Sequence, residues 1–266
     1  MAGREGLTVF LAIDIGNTQT VIGVFDGAEI VARWRLSSGR ERTEDEFTIL
    51  LRGLLGPAGY RAGDFEGAAM SSVVPPVANA LRSSLEKLVG SRVLVVGPGI
   101  RTGMAIKIDN PREVGADRVV NSLAARERYG APVVVVDFGT ATTFDVVDGS
   151  GAYIGGAIAP GLEVSMDALV SATAALRRVD LVEPRSVVGR GTVEAIQSGL
   201  LYGYAGLVDG ILARTLEEVG EAGTGPVATV ATGGIASVIV PLSRLVSTVD
   251  PTLTLEGLRI VWERNP

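Results

Sequence analysis

Two carboxylates stand where apolar runs end. In "LAIDIGNTQTVIGVFDG", residues 11–27, a run closes on Asp14, turns through Gly16, Asn17 and Thr18, and resumes as a second run. In "APVVVVDFGTATTFDVVDGSGAYIGGAI", which begins at residue 131, the arrangement returns with Asp137, Gly139 and Thr140. A glycine-containing turn offers backbone N–H groups to an anion, its hydroxyls add donors, and the carboxylate offers oxygen to a hard cation. That chemistry suits a phosphate chain and its metal. The same residues also make ordinary tight hairpins, in which Asp and Thr satisfy local turn hydrogen bonds; the recurrence favours the phosphate reading.

A third acid has a different setting. Asp117 lies in "NPREVGADRVVN", residues 110–121, directly before the helical pattern "RVVNSLAARERY". The chain has no His and no Cys, which removes the commonest general base, thiol nucleophiles, and imidazole or thiolate metal sites. Acid–base chemistry therefore falls to a carboxylate, Lys or Tyr. Asp117 fits a proton acceptor for phosphoryl transfer, where positioning and charge neutralisation dominate. On the residues alone a helix N-cap is the favoured reading of this Asp.

Composition excludes several classes. Of 266 residues, 47% are hydrophobic and 20% charged, enough to bury one large or two medium cores. A net charge of −6 without Lys/Arg runs argues against nucleic acid as a partner. The apolar stretch Leu7 to Ile13 is too short to span a bilayer and lacks a small-residue cleavage site, so no membrane association is expected and the cytoplasm is the default compartment.

The elements that must position these groups alternate between strand and helix. Residues 8–14, 20–26 and 30–36 read as three strands, the last two joined by Asp26-Gly27. "RTEDEFTILLRGLL" reads as a helix capped by Thr43 with Glu46 three residues on; "PPVANALRSSLEKLV" is a second helix that leads through Gly90 to the strand "RVLVV" at 92–96. The three-strand unit then recurs. Asp137 and Gly139 repeat Asp14 and Gly16 at an offset of 123, whereas Asp148-Gly149 repeats Asp26-Gly27 at 122, so one gap separates the copies. Two similar α/β domains facing a central cleft are expected, residues 1–125 and 126–266. No GxxxxGK[ST] is present, and "GPGIRTG" at 97–103 lacks the dinucleotide fingerprint and reads as a loop.

"DIGNT" and "DFGTATT" resemble the paired phosphate motifs of the acetate kinase, sugar kinase, Hsp70 and actin superfamily. "NPREVGADRVVN", "GGAIAPG" at 155–161 and "LTLEGL" at 253–258 narrow the resemblance to type III pantothenate kinase, which makes the first committed step of coenzyme A synthesis. The matching blocks span almost the whole chain. The resemblance implies a duplicated ribonuclease H-like, actin-like ATPase fold and phosphorylation of the primary hydroxyl of pantothenate by ATP with Mg²⁺.

It also implies residue roles. Asp14, Ile15, Gly16, Asn17, Thr18, Gln19, Thr20 and Val21 would bind ATP, with Asp14 on the Mg²⁺ side and Thr140 touching the nucleotide. Asp137 would hold a monovalent cation, potassium or ammonium. Gly115, Ala116, Asp117 and Arg118 would bind pantothenate, Asp117 as the base, with Thr192 contributing from the start of a long helix at about 192–219. Family members often carry Asn where this chain has Gly191, and some carry Tyr where it has Ile108. "ATVATGG" at 228–234 would approach the adenosine or make a close-packed strand-to-helix turn. The small residues Gly199, Gly203, Ala205 and Gly206 suit tight helix packing, and the family forms homodimers. Two other functions fit such a chain: a regulatory accessory protein descended from the family, or a superfamily kinase with another small substrate. The three retained aspartates speak against the first and the "GADR" block against the second.

Overall fold

The computed structural model describes residues 8–220 and 225–266. In chain order its first elements are β1 (Val9–Ile15), β2 (Gln19–Asp26), β3 (Glu29–Ser37), α1 (Glu44–Leu55), β4 (Phe65–Ser72), α2 (Pro75–Val89), β5 (Val93–Val95) and α3 (Ala116–Tyr129). Then come β6 (Val133–Phe138), β7 (Ala141–Val147), β8 (Tyr153–Pro160), α4 (Leu162–Ser171), α5 (Thr192–Gly220), β9 (Ala228–Gly233), α6 (Ala236–Ile239), β10 (Thr248–Val249) and α7 (Leu253–Arg264).

Turn chemistry builds the first sheet locally. β1 and β2 pair antiparallel, Asp26-Gly27 reverses the chain with Gly27 at φ +58°, and β3 pairs antiparallel with β2. β4 and β5 add parallel strands after helical crossovers, for an order of β3-β2-β1-β4-β5. α1 begins at the predicted capping box, with Thr43 Oγ1 accepting from the Glu46 N–H and Glu46 accepting from the Thr43 N–H. α2 has Pro75 in its first turn and ends at Gly90, whose φ of +65° only glycine adopts freely. Phe47 and Leu51 of α1 and Val77, Leu81 and Leu85 of α2 bury against Leu11, Ile13 and Met70 of the sheet.

The second sheet repeats the first strand for strand, in the order β8-β7-β6-β9-β10. Its register shows where the gap lies. Asp14 faces Val21 across the first hairpin and Asp137 faces Thr143 across the second, so the second turn is one residue shorter. Both turns close through their glycine, Gly16 N–H donating to the Gln19 carbonyl and Gly139 N–H to that of Ala141. The core here joins Val134, Val136 and Phe144 of the sheet to Leu201, Val208 and Leu212 of α5.

The compact units are not two continuous halves of chain. One comprises 1–103, 112–124 and 253–266, the other 104–111 and 125–252. α7 returns to the first sheet, where it packs on β1 and β4 and its Trp262 stacks on Phe10 at 5.2 Å. Among the described residues no helix is long and apolar enough to cross a membrane.

Candidate active site

In the first unit, Asp14 is the next-to-last residue of β1, so the turn that follows is presented at the carboxyl end of the strand. Asn17, Thr18 and Gln19 are exposed there, and Gly16 and Val21 are half-buried. Ile15 and Thr20 are buried at 1% exposure each, so they support the turn from within. Ser38 braces it from behind: its hydroxyl donates to the Gly16 carbonyl at 2.6 Å and lies 3.2 Å from Thr20 Oγ1, and its N–H donates to the Thr18 carbonyl at 2.9 Å. Arg40 donates to Asn17 Oδ1 at 2.9 Å, setting a cation beside the exposed amide.

The Asp14 carboxylate has one oxygen engaged, Oδ1 accepting from Ser71 Oγ at 2.7 Å. Burial pushes this carboxyl up to about 7, against the pull of the Ser71 hydroxyl, and the Asp117 charge nearby adds to the rise. The structure thus brings Asp14 and Asp117 into electrostatic contact, although they are far apart in sequence. Burial also raises the Asp117 carboxyl, while the Arg118 N–H and guanidinium and its own N–H pull it down.

Asp117 is the second residue of α3, inside the first turn, and not at the cap position. Its Oδ1 is buried with no hydrogen-bond partner, and a Cβ at Gly115 would stand 2.4 Å from that oxygen. The Gly-Ala-Asp spacing therefore lets the carboxylate fold back over a residue without a side chain. Ala116 and Arg118 flank it, both half-buried. α7 backs this helix: Gly257, in the "LTLEGL" block, abuts the Val120 carbonyl, where a Cβ would be 2.1 Å from the oxygen.

The second unit places Asp137 and Thr140 as the duplication requires, Asp137 half-buried next to the end of β6 and Thr140 exposed in the turn. "GGAIAPG" runs along β8 and closes on this turn, with Gly161 N–H donating to the Thr140 carbonyl at 3.0 Å. "ATVATGG" is β9 and its following turn; Gly233, at φ +96°, packs so closely against Asp137 that a Cβ there would stand 2.6 Å from the carboxylate Oδ1. Thr142 is buried and bonded to Tyr204, whose hydroxyl donates to the Pro160 carbonyl at 2.9 Å, locking β7, β8 and α5 together behind the turn. Thr192 opens α5, exposed, with Gly191 as the preceding residue; nothing lies within 4 Å of a Cβ built there. Ile108 sits beside Gly155, its Cγ2 3.6 Å from where a Cβ would be.

The donor set fits a nucleotide with its cations. Mg²⁺ takes oxygen ligands and uses one or two carboxylates plus phosphate oxygens; Asp14 supplies a carboxylate beside a turn of backbone donors. Among the described residues no three His, Cys, Asp or Glu side chains gather closely enough to hold a metal ion. Asp137, with Gly233 packed against it, is the second carboxylate at a strand end, of the oxygen type that a larger cation takes. Sequence reasoning missed Ser38, Arg40 and Ser71. The Ser71-Ser72 pair before "VVPP" ends an apolar strand, as Asp14 does, and that shared position was the available signal.

The model of the family described as type III pantothenate kinase matches residues 10–214. The chain is 48% identical to the type III pantothenate kinase of Moorella thermoacetica over 257 residues, covering 97% of this chain and 100% of that one. With that of Anaeromyxobacter sp. strain K the identity is 51%, with the same coverage. With that of Streptomyces griseus it is 50% over 262 residues, covering 97% and 98%. Among solved structures, component A of (R)-2-hydroxyglutaryl-CoA dehydratase from Acidaminococcus fermentans superposes with a TM-score of 0.56 at 17% identity, covering 96% of each chain. Ethanolamine utilization protein EutJ from Carboxydothermus hydrogenoformans gives 0.53 at 13%, covering 94% of this chain and 89% of that one. At such identities these two carry the fold alone, that of the actin-like ATPases.

Proposed function

The chain belongs to the type III pantothenate kinase family, phosphorylating pantothenate with ATP in coenzyme A biosynthesis, and from that premise we propose how its residues divide the work. Asp117 is the base: its carboxylate accepts the proton of the primary hydroxyl while the hydroxyl oxygen bonds to the γ-phosphorus and the bond to the ADP oxygen breaks. The observation that carries this reading is the half-buried Asp117 carboxyl, in electrostatic contact with Asp14, whose proton affinity burial has raised.

Gly16, Asn17 and Thr18 hold ATP phosphates through the exposed turn, Ile15, Gln19, Thr20 and Val21 shape it, and Asp14 takes the Mg²⁺ side. Thr140 touches ATP and Asp137 holds potassium or ammonium. Both cations, when bound, neutralise charge on the transferring phosphoryl group. Arg118 pairs with the pantothenate carboxylate, Gly115 and Ala116 line its path, and Thr192 donates to it. We assign the enzyme to the cytoplasm, where ATP is supplied, and to a homodimer. Leu169, Leu176, Ala195, Ile196, Gly199 and Leu200 line an apolar groove of about 450 Å³ beside Thr192, which suits closure of the pantothenate pocket by a second subunit.

The test is phosphopantothenate formation by the purified protein with Mg²⁺-ATP, in potassium and in sodium, beside Asp117→Asn. Potassium-dependent product, cut about a hundredfold or more by the Asn variant, is expected. An Asn variant within a few-fold of wild type would remove Asp117 from the role of base.

A further inference from the structure

β4 ends level with β1, and Ser71 faces Asp14 in the parallel ladder between them. The strand is otherwise filled as a core strand, with Ala68, Ala69 and Met70 fully buried, and Ser71 is fully buried too. A hydroxyl costs free energy in such a place unless it is paired, and here its proton goes to Asp14 Oδ1 at 2.7 Å. The second unit repeats the placement: Thr232 of β9 stands opposite Asp137 in the β6–β9 ladder and is 3% exposed. Both copies carry a hydroxyl.

We propose that Ser71 is a positioning residue for the ATP site: by giving its one proton to Oδ1 of Asp14, it fixes the carboxylate torsion and leaves Oδ2 as the oxygen presented to the Mg²⁺ of ATP. The proposal rests on the assignment of Asp14 to the Mg²⁺ side. The carboxylate torsion of Asp is broad and two-fold, so an unheld group turns between orientations. Mg²⁺ demands near-octahedral geometry, and groups that orient its ligands commonly set affinity by 10- to 100-fold.

The experiment is calorimetric titration of ATP into wild type, Ser71→Ala, Ser71→Thr and Asp14→Asn, each with and without Mg²⁺, with the half-saturating Mg²⁺ concentration measured alongside in the kinase assay. Ser71→Ala should bind Mg²⁺-free ATP as wild type does, lose about tenfold in the affinity gained from Mg²⁺, need about tenfold more Mg²⁺ for activity, and keep its KM for pantothenate. Ser71→Thr, which restores the hydroxyl, should recover most of the loss. Ser71→Ala in an Asp14→Asn background should add nothing. An unchanged Mg²⁺ gain in Ser71→Ala, or equal losses for all ligands, overturns the role of Ser71, as does a Thr variant no better than Ala. If instead Asp14→Asn itself leaves the Mg²⁺ gain intact, the assignment of Asp14 fails and the proposal with it. Should Ser71→Ala not fold, Ser71→Cys, close in volume and a weak donor, takes its place and must show the same selective loss.

Discussion

A Cβ on Gly233 would stand 2.6 Å from Oδ1 of Asp137 and 2.5 Å from the carbonyl oxygen of Phe138, in a backbone at φ +96°. Close approach and conformation both demand glycine. Gly233→Ala is therefore expected to lower stability by about 1–3 kcal/mol, from strain and the clash with backbone. It should also weaken potassium activation about tenfold by crowding the carboxylate. Denaturant unfolding and a potassium titration of activity check the two parts separately, and a variant that loses stability while keeping its potassium response would detach Asp137 from the cation.

The Asp14 carboxyl, raised to about 7 by burial, sets a pH dependence of known sign. A group more easily protonated in the folded state stabilises most when protonated, below its unfolded value, and that contribution disappears as pH rises through about 7. Asp14→Asn mimics the protonated form. In protein free of nucleotide, the melting temperature of wild type minus that of the variant should fall between pH 4 and pH 7 and level off above. A difference that rises over the same window contradicts the burial of the charge.

Gly257→Ala pits two effects against each other. Ala in a helix interior is favoured over Gly by up to about 1 kcal/mol, but a Cβ 2.1 Å from the Val120 carbonyl oxygen must push α7 from α3, and overpacking of this kind costs about 1–3 kcal/mol. The clash should win. Because Val120 lies one turn beyond Asp117, kcat should fall severalfold more than ATP affinity; a variant stabler than wild type would show that the helices separate freely.

Thr192 is exposed and follows Gly191, the residue at the helix start. Thr192→Ala should therefore change the melting temperature little and raise the KM for pantothenate about tenfold, the worth of one hydrogen bond to an ionised or polar ligand group. Loss of stability with an unchanged KM would mark it as a helix-start residue alone.

Much of the fold was legible because it is written over short spans of chain. The capping box at Thr43 and Glu46, the proline start of α2, Gly90 at its end, the Asp26-Gly27 reversal and the repeated strand units all depend on residues within a few positions of one another. The change of offset from 123 to 122 signalled a single gap between the copies, and the strand register places it in the second turn. Asp117 was legible as an acid at the start of a helix, but as a cap; only the fold-back over Gly115 distinguishes the observed position.

By itself, then, the sequence determined the duplicated strand units, the absence of imidazole and thiol chemistry, and the placement of Asp14 and Asp137 near strand ends, because periodicity, turn propensity and residue type are local properties. The tertiary structure alone decided that Ser71 holds Asp14 from 57 positions away, that Ser38 braces the first turn, and that α7 returns to lie against α3 through Gly257. Those contacts join residues far apart in the chain, and nothing in a local pattern encodes which distant partner a buried hydroxyl or a bare backbone will meet once the sheets have formed.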